Sequence, residues 1–87
     1  MATVVLPRSL IAIMPGAQRR MDVAAGTVAT VIDELDRGVP GIRNRLLDAG
    51  PSVRQHLNVF VDGQRADLHT PVPESGIVHV IPAVSGG

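Results

Sequence analysis

Apolar residues along this chain follow two rhythms, and each marks a different kind of element. Alternation is strictest over residues 56–61, where Leu57, Val59 and Val61 point one way and His56, Asn58 and Phe60 the other. A period of two predicts a strand with one face against a core. Asp62-Gly63 follows at once and predicts a tight hairpin turn, with residues 64–68 as a short strand or edge segment. Residues 2–6, rich in β-branched Thr3, Val4 and Val5, predict a first strand stopped near Pro7. Over residues 19–24, Arg20 and Asp22 alternate with Met21 and Val23, which predicts a second strand. Between these two lies the aperiodic run Leu10-Ile11-Ala12-Ile13-Met14, which reads either as an extension of the first strand or as an apolar loop. It ends at Pro15-Gly16, a turn signal, so the two strands form an N-terminal hairpin on this reading. A loop marked by Pro71, Pro73 and Gly76 precedes the last strand, residues 77–81.

Helical spacing is clearest after Gly26. Val28, Val31, Ile32 and Leu35 fall at i, i+3, i+4 and i+7, one apolar stripe. Thr27 stands where its hydroxyl can cap the helix, and Gly38 is the expected stop. Residues 40–47 predict a second, shorter helix with Pro40 at its start and Ile42, Leu46 and Leu47 as its apolar side. One long helix across a mixed sheet is the economical cover for that many apolar strand faces. The fold class is therefore α+β.

Composition narrows the function classes. The chain has 87 residues, no cysteine, a single aromatic residue (Phe60) and a hydrophobic content of 45%. That is one domain with an aliphatic core, too small for a deep catalytic cleft. Disulfides, thiolate metal sites and Cys nucleophiles are excluded. All eight basic residues are Arg, balanced by eight acids for zero formal charge. A nucleic-acid binder needs a basic face and stacking aromatics, so no nucleic-acid partner is expected. No apolar run approaches the ~20 residues of a membrane span, and residues 1–3 lead into a strand without the regions of a signal peptide. The expectation is a cytoplasmic protein with no membrane partner.

Groups for in-house catalysis are missing from the pattern. There is no Gly-rich phosphate loop followed by Lys, and His56, His69 and His79 are too widely spaced to read as metal ligands. Arg43, Arg45 and Arg54 form a candidate basic patch, diluted by Asp48. What stands out instead is Val84-Ser85-Gly86-Gly87, directly after the last strand. A pinned strand carrying a side-chain-free end can present one carboxylate to another protein. Gly86 and Gly87 let such a tail thread a narrow channel. Pro82 fixes its own φ and is expected to end hydrogen bonding to the sheet. This divides the chain into a domain at residues 1–82 and a flexible tail at 83–87, which reaches at most about 17 Å.

The element order, the length and the ending Ile81-Pro82-Ala83-Val84-Ser85-Gly86-Gly87 resemble the ubiquitin-like β-grasp sulfur carriers. That family includes the small subunit of molybdopterin synthase and the thiamine sulfur carrier. The pattern is most similar to the actinobacterial branch that serves cysteine biosynthesis. The resemblance rests on Pro40-Gly41-Ile42-Arg43, Arg45-Leu46-Leu47-Asp48, Arg54 and Leu57-Asn58-Val59-Phe60-Val61, read in that order. One departure is Asp62-Gly63-Gln64-Arg65, where the family often carries Asn followed by acidic residues.

The resemblance implies a β-grasp fold: a mixed four- to five-stranded sheet, one main helix across it and a short second helix. It implies that the Gly87 carboxylate is adenylated by an E1-like adenylating and sulfurtransferase enzyme using ATP, with no cofactor bound to the carrier itself. A sulfide or persulfide donor then displaces AMP to leave a thiocarboxylate. Val84, Ser85, Gly86 and Gly87 would thread the partner's active site. The sulfur acceptor would be a PLP-dependent cysteine synthase or another sulfur-inserting synthase, so the chain is a protein cosubstrate and not an enzyme. Two other roles share the ending: the small subunit of molybdopterin synthase, and a ubiquitin-like modifier joined to target amines. Alternation adds a surface. If Leu57, Val59 and Val61 face the helix, Phe60, His79 and Ile81 share the opposite face and form an apolar patch beside the tail.

Overall fold

The computed structural model describes residues 1–83. Along the chain these form β1 (Ala2–Val5), α1 (Arg8–Ile13), β2 (Arg20–Val23), β3 (Gly26–Thr27), α2 (Val28–Gly38) and α3 (Ile42–Leu46). There follow β4 (Leu47–Asp48), β5 (Ser52–Val53), β6 (Leu57–Val61), β7 (Gln64–Ala66), β8 (Pro71–Val72) and β9 (Ile77–Pro82). Five strands make one sheet in the order β2-β1-β9-β6-β7. The β1–β9 pair is parallel, and the β1–β2, β6–β9 and β6–β7 pairs are antiparallel, so the sheet is mixed. β3 pairs with β8 and β4 with β5 as short two-stranded ribbons. This is the expected α+β arrangement.

The alternation read from sequence decides which face is buried. Ala2, Val4, Val23, Val59, Val61, Val78 and Val80 line the inner face and join one core with Val28, Val31, Ile32 and Leu35 of α2. Each Val, Leu or Ile among them, fully buried, contributes about 1.5–3 kcal/mol. Thr27 caps α2 as expected: its hydroxyl oxygen accepts from the Thr30 N–H at 3.3 Å, and the Thr30 hydroxyl oxygen accepts from the Thr27 N–H at 2.9 Å. Those reciprocal bonds satisfy two of the donors that a helix start leaves open. The Asp62-Gly63 turn between β6 and β7 has φ of 49° and 86° at its two residues, the left-handed pair that matches strand twist.

Four details differ from the sequence reading. Residues 8–13 form neither a strand nor a loop but α1, which buries Leu10, with Met14 buried one turn on. Its apolar run has no polar residues interleaved, so no period was there to read. α2 continues through Gly38 and is capped by Val39, whose N–H bonds to the Leu35 carbonyl at 2.8 Å. α3 starts at Ile42, not Pro40, and Leu47 leaves it for β4. The Asp36 carboxylate accepts from the Gly41 N–H (3.1 Å) and the Arg43 N–H (3.0 Å), fixing that start from the preceding helix. Finally, pairing with the sheet does not end at Pro82. The Ala83 N–H donates to the His56 carbonyl at 2.8 Å.

Candidate functional site

β9 is the central strand, held by β1 on one side and β6 on the other. Its last residues are gripped mainly from β6: Pro82 lies opposite Leu57, and Ala83 is tied to His56. The candidate tail residues Val84, Ser85, Gly86 and Gly87 lie outside the described residues. Four residues beyond the Ala83 anchor span at most about 14 Å when extended, which shortens the 17 Å reach expected with a break at Pro82.

On the outer face of the sheet, register places Phe60 directly opposite His79 on one side and Arg65 on the other. His79 in turn faces Val5, and Val5 faces Arg20. A row of Arg20, Val5, His79, Phe60 and Arg65 therefore crosses all five strands. Ile81 sits two residues along β9 on the same face, opposite Asn58, and is 43% exposed. Phe60 and His79 are half-buried. The three candidate patch residues are thus brought together on one face, and residues 9–16 send Leu10 and Met14 into the core.

Two hollows flank the point where β9 ends. One, of about 400 Å³, is bounded by α1 residues and by Leu57 and Pro82, with Arg45, Arg54 and His56 on its wall. The other, of about 500 Å³, runs along Val5, His79, Ile81 and Pro82, with Arg8 and Arg19 on its wall. Among the described residues no Asp or Glu lines either hollow. No pattern along the chain marks them, because α1, which borders both, has no helical period to read.

The Arg43, Arg45 and Arg54 grouping comes apart. Arg43 pairs with Asp33 at 3.2 Å beside α2. Arg54 pairs with Asp48 at 3.2 Å and also donates to the Asn44 carbonyl, at 2.6 Å from Nη2. Arg45 has no acidic partner among the described residues and joins Arg54 in the hollow. Among the described residues no polar or charged side chain is buried, and no group of three His, Asp or Glu residues is placed to hold a metal ion. Nor is any helix among them long and apolar enough to cross a membrane.

Comparison with known proteins agrees with this geometry. The ThiS family model matches residues 6–87. Tail tip assembly protein I of Escherichia phage lambda is 33% identical over 69 residues, covering 78% of this chain, but the chain spans only 31% of that protein's length. The sulfur carrier protein CysO of Mycobacterium tuberculosis is 28% identical over 78 residues, 83% of this chain and 84% of CysO. The crystal structure of M. tuberculosis CysO superposes with a TM-score of 0.86 at 26% identity, over 97% of this chain and all of that one. A chain from the Amycolatopsis orientalis BexX/CysO complex superposes with a TM-score of 0.87 at 25% identity, with both chains fully covered.

Proposed function

The chain belongs to the ThiS family, and from that premise we propose that it is a sulfur carrier whose reactive group is the Gly87 carboxylate. A carboxylate resists substitution because its oxygen would have to leave as oxide. In the proposed cycle a Gly87 oxygen attacks the α-phosphorus of ATP in a separate E1-like adenylating enzyme, and pyrophosphate departs. Hydrosulfide then attacks the acyl carbon, AMP leaves with the former carboxylate oxygen, and a thiocarboxylate remains. A sulfur-inserting synthase, of the PLP-dependent cysteine synthase type, would consume it in the cytoplasm. The carrier supplies no catalytic side chain. It supplies a handle and a reach.

The observation that carries this reading is the way β9 ends. A central strand clamped up to Ala83 gives the four residues beyond it a fixed origin, and the family match continues across all of them to Gly87. Fixing the origin removes part of the orientational freedom that a tail would otherwise lose on entering an active site. The Phe60, His79 and Ile81 face lies beside that origin and is the surface we assign to the activating enzyme, with half-buried Phe60 as its aromatic anchor.

The test is reconstitution with an adenylating enzyme of the same host, ATP and sulfide. Wild-type protein should release pyrophosphate and gain one sulfur in place of oxygen by intact mass. A variant lacking Gly87 should do neither. Equal pyrophosphate release from that variant would overturn the assignment.

A further inference from the structure

The two ends of the sheet differ sharply in charge, although the chain as a whole carries none. β1 and β9 run parallel, so Ala2 and Ile77 lie toward one end and Val5 and Pro82 toward the other. At the first end Glu74 meets the Met1 amino group, Asp62 accepts from the Ile77 N–H and Asp22 accepts from the Thr3 hydroxyl. The end that launches the tail carries cations. Arg8 and Arg19 line one hollow beside Pro82, and Arg45 and Arg54 line the other. Arg8, Arg19 and Arg45 have no acidic partner among the described residues, whereas Arg37 and Arg43 pair with Glu34 and Asp33 beside α2. Arg54 is held at the edge of its hollow by Asp48 and the Asn44 carbonyl.

We propose that Arg8, Arg19, Arg45 and Arg54 form a cationic collar around the tail exit that docks on an acidic rim around the channel of the adenylating enzyme. The inference rests on the carrier reading and adds the charge of the partner. Charge complementarity fixes the occupant: among the described residues both hollows present guanidinium groups and no carboxylate, so a partner surface of the same sign would be repelled. Reach fixes the role. With residues 84–87 extended, Gly87 lies up to about 14 Å beyond Ala83, so the collar meets the mouth of a channel while the carboxylate reacts inside it. Charges so placed steer association and set orientation. They do not act on the reacting atoms.

Initial rates of ATP-dependent Gly87 loading, measured against carrier concentration with the same adenylating enzyme at low and high salt, test this. Arg45→Glu and Arg8→Glu, made separately, should each raise KM by about ten-fold at low salt, with kcat changed less than about two-fold. The difference should shrink near 0.5 M salt, where the screening length falls to about 4 Å. Arg37→Glu, on exposed α2 surface and lining neither hollow, should match wild type. Two independent collar variants guard against a folding defect in either one. If both collar variants behave like Arg37→Glu, or if the loss falls on kcat, the collar proposal is overturned while the carrier reading stands. If wild-type protein is never loaded, the carrier reading fails and takes the collar with it.

Discussion

Phe60 is the residue on which the outer face turns, since it stands opposite both His79 and Arg65 and is the chain's single aromatic side chain. Its truncation should leave the core untouched and weaken docking. Phe60→Ala is expected to raise the dissociation constant for the adenylating enzyme by about 10–30-fold, or about 1.4–2 kcal/mol. Calorimetric titration checks this, and unchanged affinity would remove the face from the interface. Asp36 acts on stability instead. Its carboxylate takes the Gly41 and Arg43 N–H groups at the start of α3, so Asp36→Ala should cost about 1–2 kcal/mol. In a domain of this size each kcal/mol lowers Tm by about 4–8 °C, which a thermal melt resolves. Gly76 is constrained by space: a Cβ there would stand 2.8 Å from the Pro73 carbonyl oxygen. Gly76→Ala should therefore destabilise by about 1–3 kcal/mol, through forced movement of that backbone, in the same melt. Which strand residues face the core could be read from alternation, because the side-chain period of a strand is two. The Asp36 cap could not, because its partners are five and seven residues away and meet it only through the turn between two helices.

At the scale of elements, α2 and β6 were legible because each has a one-sided apolar pattern that only one period fits. Val28, Val31, Ile32 and Leu35 all turn inward, and so do Val59 and Val61. α1 was not legible, since Leu10-Ile11-Ala12-Ile13 is apolar at every position and leaves Ile13 53% exposed. Burial of Leu10 and Met14 one turn apart decides its helical form, and that is a tertiary fact. The end of β9 was misread for a related reason. Pro82 has no N–H to give, but strand pairing continues on the far side of it through Ala83. The Ala83 amide should consequently be protected from hydrogen exchange, as an amide bonded to another strand would be. Exchange at the rate of an unstructured peptide would show that the anchor is absent and that the tail begins one residue earlier.

For the whole molecule, a clamped central strand, an outer face that carries Phe60, His79 and Ile81, and a basic exit all converge on the end of β9. The fold supplies rigidity, and the ThiS family match runs on through Gly86 and Gly87. Neither hollow beside Pro82 has to hold a substrate for this account, because the reacting group leaves the domain to be used elsewhere. The most direct test is intact-mass analysis of the protein isolated from its native host. A species with one oxygen replaced by sulfur, lost when Gly87 is deleted, is the predicted result. A protein whose Gly87 is only ever an unmodified carboxylate, or is followed by further residues in its mature form, would contradict the account.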